Sequence, residues 1–549
     1  MTYKDLANVI FPNITKTIED YEKEYPSRNL PEGAKVTRFA PSPTGFMHIG
    51  NLMSCTIDYV LAKQSGGVFY LRNEDTDQAR TVEGAVDFIF GTLKHYGMDP
   101  DEYEYEGKTV GEYGPYIQSE RKEIYHAFIK HLIEIGRAYP CFMTKEEDAE
   151  IRENQAAAKK RIGIYGRYAR SRNIPIEDAI KRIEAGEKFV IRFKSEGDFE
   201  EKIVFMEENR GKMEFPENDL DFPIMKSEDL LPTYHFAHLV DDHLMRTTHV
   251  VRGEEWMSSV PIHYELFKTF GYEMPKYIHN SLIMKKDGDV IRKISKRKDP
   301  EFLLSYYTEK GYPAKAVIEY CMTIANSNYE EWRTANPETP FYEFPFDPKK
   351  MSSSGALFDL SKLDNISKNI ISKMTKDELY DELFAWARKY DEEFADILEE
   401  NEDLAKRVLN IEREQEKPRK DYAYYSEVKD KIWYMFAPLW ENSDKALEFK
   451  TINDKEEISN IVKTYFEEYY DEGDDKDTWF EKVKDLAERF GYAREVKMFK
   501  EDPSKYKGHV GDVSTVLRIA ITHESMTPDL YELMQILGKD EMQKRIKNL

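Results

Sequence analysis

Two short stretches hold residues whose types and spacing suit chemistry on phosphate. The first is Arg38–Asn51, RFAPSPTGFMHIGN. A β-prone run, Lys35–Phe39, breaks into a loop with Pro41, Pro43 and Gly45, which feeds His48-Ile49-Gly50 and a helical pattern. In α/β sheets, a strand, a glycine-bearing loop and a helix start together bind anions, because free backbone N–H groups and the helix dipole converge there. The second stretch is Lys293-Ile294-Ser295-Lys296-Arg297, a basic pentapeptide. Read singly, each has a plain structural account: a tight connection and a solvated loop. Other clusters read more blandly. Asp241-Asp242-His243 after a strand suits turn chemistry or ion pairing better than metal ligation. His235 and His238 read as pocket wall, and Arg72, Glu74, Asp75 and Asp77 as a surface ion-pair cluster at a strand end.

The elements that must position these residues alternate. After the first motif comes a helix to Gln64, a second strand Val68–Asp77, and a helix over about Thr81–Tyr96 with Val82, Val86, Ile89 and Leu93 on a three-to-four spacing. Strands alternating with helices predict a parallel, doubly wound sheet. Residues 115–230 break that rhythm and read as an inserted α+β domain. It contains a basic run with Lys159, Lys160, Arg161, Arg167, Arg170 and Arg172, and the strand-like Phe189–Lys194. Alternation resumes over 231–290, where Lys286-Asp287-Gly288-Asp289 separates two apolar runs as a hairpin turn would. Residues 291–370 carry the basic loop, strand signals fade beyond about 300, and 371–549 is expected to be all-helical. There, Thr375 with Glu378 makes a capping box, and Leu379, Leu383, Trp386 and Tyr390 share a face. Residues 1–34 form an amphipathic helical extension, expected to pack on the main body; 35–114 is the first half of the sheet domain.

With 549 residues, 40% hydrophobic and 13% aromatic, the chain has material for several cores, and roughly one domain per ~150 residues predicts three to four. Lys+Arg 80 against Asp+Glu 104 gives a net charge of −24. That balance lowers the expectation of a nucleic-acid partner without removing it, since a basic face can sit on an acidic protein. Three scattered cysteines, Cys55, Cys141 and Cys321, form neither a disulfide framework nor a paired metal knuckle, which fits a reducing compartment. The acidic N-terminal stretch is not a signal peptide and no window is long and apolar enough to span a bilayer. A cytoplasmic protein that does not enter membranes is expected.

Taken together, the two stretches resemble the two nucleotide-binding signatures of the class I aminoacyl-tRNA synthetases, KISKR standing for KMSKS. The PSPTG leader resembles the glutamyl branch, bacterial type. The resemblance runs from Val36 through VLRIAITHE (Val516–Glu524) and LMQILGKDEMQKRI (Leu533–Ile546). It implies a Rossmann-like catalytic domain with an inserted acceptor-binding domain, followed by an all-α anticodon-binding part. It also implies ATP as a substrate, Mg²⁺ accompanying the triphosphate, and nucleotide contacts from Thr44, Gly45, His48, Gly50, Asn51, Glu255, Trp256, Lys293, Ile294, Lys296 and Arg297. His48 and Lys296 would act on the phosphates as catalytic residues, supplying positive charge from opposite sides. Asn51 stands where the class has a second histidine, so half of that pair's stabilisation cannot be carried over, although the amide can still donate to phosphate.

For an amino acid with an acidic side chain, a guanidinium fork is the right receptor. The resemblance places Arg252, with Arg38 and Tyr234, on the side-chain carboxylate, Glu74 on the α-amino group, and Ser42 in the same site. Some glutamyl enzymes hold zinc in the insertion; here Cys141 and Tyr168 stand at those places, and one thiolate cannot make a four-coordinate site, so no zinc is expected. Lys159, Lys160, Arg161, Arg167 and Arg170 are the candidates for tRNA phosphate contacts. The expected activity is glutamate–tRNA ligation by a monomer, with tRNA-Glu as partner and tRNA-Gln left open. Three alternatives compete: a glutaminyl-type ligase, a short glutamyl-queuosine ligase, and a catalytically silent tRNA-binding or scaffold protein.

Overall fold

Strand β1 (Val36–Phe39) is buried along its whole length. It pairs in parallel with β2 (Val68–Leu71), Val36 against Val68 through Phe39 against Leu71. A parallel pair needs a crossover, and α1 (Ile49–Gln64) supplies it, burying Ile49, Leu52, Met53, Ile57, Val60 and Leu61. The second half repeats the unit. After α2 (Tyr234–Leu244), β3 (His249–Gly253) pairs in parallel with β4 (Lys276–Asn280) across α3 (Val260–Phe270). The two pairs join where Thr248 N–H donates to the Val36 carbonyl at 2.9 Å.

This computed structural model describes residues 1–352, 355–547 and 549. They divide into two units, Met1–Leu304 with Ile318–Asp359, and Ser305–Val317 with Leu360–Leu549. In the first unit, the stretch between the sheet halves contains helix Lys122–Glu134, a three-stranded antiparallel sheet (Ala138–Cys141, Val190–Phe193, Pro223–Met225) and a hairpin, Lys202–Glu207 with Gly211–Pro216. The N-terminal residues are part of the main core. Helices Tyr3–Ile10 and Ile18–Glu24, each opened by a capping box, bury Leu6, Phe11, Ile18 and Tyr21 beside Phe128 and Leu132. Arg28 then forks onto Glu102 at 2.7 and 2.9 Å, under the ring of Tyr113.

Three local expectations need correction. Strand β2 ends at Leu71, not Asp77, because beyond it the backbone turns to other partners: Asn73 N–H to Tyr116 O and Glu74 N–H to Pro41 O. The next helix starts at Ala85, not Thr81, since Gly84 just before it is left-handed (φ 76°), and Val82 is exposed. Strand signals do not end near 300. The expected hairpin is present (Ile283–Asp287 with Val290–Lys293, Gly288 at φ 61° in its turn), but a third strand, Ala356–Phe358, pairs with it in parallel.

The second unit is helical, with no strand longer than a single bridge among its described residues. Thr375 and Glu378 cap Lys376–Tyr390 reciprocally, and Leu379 and Leu383 are buried in a core that runs to Phe436. Further along that face burial fades: Trp386 is half-buried and Tyr390 exposed. A further core gathers Ile461, Val483, Leu517 and Met542. Among the described residues no helix is long and apolar enough to cross a membrane.

Candidate active site

The carboxyl end of β1 delivers Arg38 to the loop that runs into α1. His48 caps that helix: its Nδ1 accepts the Asn51 N–H at 3.2 Å, and Asn51 Oδ1 accepts the His48 N–H at 3.0 Å. The reciprocal pair satisfies two otherwise orphaned donors. With Nδ1 accepting, the ring proton sits on Nε2, and the Asn51 side chain keeps its NH₂ as a donor. The ring packs on Phe302 at 4.5 Å, and a Cβ on Gly50 would come within 3.1 Å of it. Burial, reinforced by Lys293, holds His48 at about 4. Burial thus disfavours the imidazolium, and His48 presents an N–H donor at a helix N-terminus, where the dipole adds positive field.

These groups line a cavity of about 670 Å³. From the first motif, Arg38, Ser42, Thr44, His48, Gly50 and Asn51 reach its wall; Glu74 follows from the stretch after β2. Tyr234, Arg252, Glu255 and Trp256 come from the second half, and Lys293 and Ile294 from the hairpin. Gly45, Lys296 and Arg297 are exposed and do not line it; Lys296 Nζ lies 5.6 Å from the exposed Phe46 ring.

Arg38 and Arg252 are both buried and unlike in their company. Arg252, 6% exposed, makes no ion pair with a carboxylate among the described residues. It donates to His279 Nε2 at 3.1 Å, His263 Nδ1 at 3.3 Å and the Trp256 carbonyl at 3.3 Å, above the Tyr277 ring. Arg38 approaches Asp242 at 3.5 Å and donates to the Val251 carbonyl at 3.4 Å. Tyr234 packs on Trp256, rings 4.4 Å apart. Glu74 shares its Oε1 with Arg72 Nη2 at 2.8 Å, while burial pushes its carboxyl up.

Behind this wall lies an ionic network: the ion pairing expected at Asp241 and Asp242 is present, but buried and with partners distant in sequence. Arg72 is fully buried, so the surface-cluster account of it fails: its Nη1 donates to Asp242 at 2.6 Å. Asp241 and Asp242 lie on α2, not in a turn. Asp241 accepts from Arg121 at 2.7 Å, Gln118 at 2.8 Å and Tyr125 at 2.8 Å. Against its burial, Arg72 and Arg38, with His238 at 2.7 Å, hold the Asp242 carboxyl well below the ordinary range. His235 and His238 do not line the cavity; they form a layer behind Tyr234, His238 donating or accepting at the Tyr277 hydroxyl at 2.6 Å. The sequence reading missed Asp58 on α1, which lines the cavity and whose carboxyl burial pushes up. Its signal was one acidic residue inside the apolar run CTIDYVLA.

In the insertion, Lys159, Lys160, Arg167 and Arg170 are exposed. Arg161 is committed elsewhere: it forks onto Asp219 at 2.8 and 2.6 Å and covers Phe199. Arg172 likewise bonds Asp221 at 3.0 Å. Cys141 is buried in its strand, and no group of three ligating side chains converges among the described residues.

Residues 35–365 match the family model of the class I tRNA synthetase (E and Q) catalytic domain, and 378–549 match an anticodon-binding domain. A glutamate–tRNA ligase of Clostridium perfringens (strain SM101) is 51% identical over 549 residues, 100% of this chain and 99% of its own length. One of Acetivibrio thermocellus is 50% identical over 550 residues, covering 100% of both. A crystal structure of a glutamate tRNA ligase from Elizabethkingia meningosepticum in complex with its amino acid superposes with TM-score 0.73 at 28% identity, over 93% of this chain and 98% of that one. The likeness to the two relatives extends through residues 1–34, which the motif resemblance left outside.

Proposed function

The chain belongs to the glutamate–tRNA ligase family of class I synthetases, and we propose from that premise how its residues divide the ATP-dependent joining of glutamate to tRNA. A glutamate α-carboxylate oxygen attacks the α-phosphorus of ATP and pyrophosphate leaves, giving glutamyl-adenylate. The 2′-hydroxyl of the terminal adenosine then attacks the acyl carbon and AMP leaves. Such a site works by placing donors and charge around the phosphoryl oxygens and aligning the attack.

His48 Nε2–H, the Asn51 amide and the α1 N-terminus cradle the triphosphate; Glu255 and Trp256 take the ribose and adenine. Lys296, on its exposed loop, moves in as charge develops and so binds the transition state better than the ground state. Arg252 holds the side-chain carboxylate of glutamate with Arg38 and Tyr234 beside it, and Glu74 accepts from the ammonium. Magnesium enters with ATP as part of the substrate; among the described residues no three His, Cys, Asp or Glu side chains gather to hold a metal ion. The tRNA acceptor end lies along Lys159, Lys160, Arg167 and Arg170, and the enzyme works as a cytoplasmic monomer.

The observation that carries this reading is Arg252: a buried guanidinium whose bonds among the described residues go to neutral acceptors, in the same cavity as a helix N-terminus. A buried, uncompensated cation is costly, and a substrate carboxylate relieves that cost. The test is charging of purified tRNA-Glu and tRNA-Gln transcripts with labelled glutamate or glutamine. Glutamyl-tRNA is expected; glutaminyl-tRNA alone, or no charged product, refutes the reading.

A further inference from the structure

Arg252 is oriented by histidines, and its contacts can be followed outward in two directions. A guanidinium only donates, so His279 Nε2 and His263 Nδ1, its two ring partners, are lone-pair acceptors and each ring proton sits on the far nitrogen. From His263, that Nε2–H donates to His235 Nδ1 at 3.1 Å. From His279, the Nδ1–H faces Glu207 Oε1 at 3.3 Å, and the same oxygen accepts the His279 backbone N–H at 2.6 Å. The other Glu207 oxygen accepts backbone N–H groups of Asn209, at 2.7 Å, and Arg210. Glu207 is 2% exposed and ends the strand Lys202–Glu207 of the insertion's hairpin, outside the cavity wall.

We propose that Glu207 is a positioning residue for glutamate recognition: by fixing the tautomer of His279, it holds Arg252 in place while leaving the guanidinium's charge for the substrate. The inference rests on the reading of Arg252 given above. A carboxylate bonded directly to Arg252 would orient it equally well but would neutralise it and compete with the substrate. A neutral imidazole orients without neutralising, and the ionised Glu207 one ring further out sets which nitrogen carries the proton. The opposite tautomer would aim an N–H at an N–H. Burial, with His238 and Arg252 beside it, keeps His263 well below its ordinary range; burial also lowers His279, although its bond to Glu207 opposes the shift. Burial would raise Glu207, but its bonds from His279 and the loop N–H groups bring it below the ordinary range.

The test compares the full-length enzyme with Glu207→Ala and Glu207→Gln in tRNA charging at saturating tRNA. For Glu207→Ala the glutamate KM is expected to rise about tenfold, the order set by one hydrogen bond to a charged group, with kcat within about threefold and the ATP KM within about twofold. Glu207→Gln keeps one oxygen to accept the His279 proton but turns an NH₂ on the Asn209 and Arg210 N–H groups, so its glutamate KM should lie between those of Glu207→Ala and the unsubstituted enzyme. If Glu207→Ala does not fold, His279→Phe keeps the ring over Tyr277, deletes the acceptor, and should raise the glutamate KM alone. A glutamate KM unchanged in the folded variant, or an ATP KM that rises by the same factor, overturns the proposal. Failure of the parent reading looks different: the unsubstituted protein would not charge glutamate at all, and both fall.

Discussion

Replacing Arg252 by lysine keeps the charge and removes the fork. The arginine commits Nε–H to His279, one Nη1–H to His263 and one Nη2–H to the Trp256 carbonyl. Tyr234 also hydrogen-bonds the guanidinium, and the fork's remaining terminal N–H is a donor that a carboxylate can accept. Lysine concentrates three donors on one atom and cannot reproduce the planar spacing by which Nε and Nη1 reach His279 and His263. A hydrogen bond between charged partners contributes roughly 1.5–3 kcal/mol, and stranding a buried acceptor costs about 1–3 kcal/mol. Losing one arm of the fork and disordering its support therefore removes about 3 kcal/mol, or roughly a hundredfold in kcat/KM for glutamate. The assay is charging over a glutamate series at saturating ATP and tRNA, with the ATP KM as control, expected within about threefold because the nucleotide groups are untouched. A glutamate kcat/KM within tenfold of the unsubstituted enzyme would show that charge alone suffices and that the fork is not the receptor.

Lys296→Ala should lower glutamate-dependent pyrophosphate exchange by about a hundredfold or more, the scale of one transition-state donor, with an unchanged melting temperature because the side chain is exposed; near-normal exchange removes it from the catalytic set. Arg167→Ala with Arg170→Ala should raise the tRNA KM and flatten its salt dependence by about 0.7 to 0.9 per lost phosphate contact, whereas Arg161→Ala should lower the melting temperature instead, since that side chain is bonded to Asp219. Stability should fall in mild acid. His238 is fully buried and held at about 4 by burial, against an ordinary 6.5. The unfolded chain therefore binds the extra proton first, and stability present above pH 6.5 is lost as pH falls toward 4, about 2 kcal/mol of it by pH 5. The denaturant midpoint should drop from pH 7.5 to pH 5, and by less in His238→Gln; an equal drop in both would refute the assignment.

What the sequence showed of the site was local. The strand, loop and helix start of the first motif are consecutive residues, so His48, Gly50 and Asn51 could be placed together before any fold was known. The charge state of His48 could not, because it depends on burial under Phe302 and on Lys293, more than two hundred positions away. The same limit hid the network: Arg72 meets Asp242 across 170 positions and His279 meets Glu207 across 72. Polar residues so far apart carry no periodic signal, and an Arg or Asp at a strand end looks solvated until the partner is in place. Helix caps such as Thr375 with Glu378 were legible because both halves lie within one turn. The helix expected from Thr81 failed for the complementary reason: apolar spacing continued through Gly84, whose left-handed backbone stops the helix.

The most direct measurement is pyrophosphate exchange into ATP with glutamate, run with and without tRNA on the full-length protein. A cavity lined by both the buried Arg252 and the N-terminus of α1 predicts glutamate-dependent exchange in the presence of tRNA, and none with glutamine. No exchange under either condition, or exchange driven by glutamine, would contradict the account.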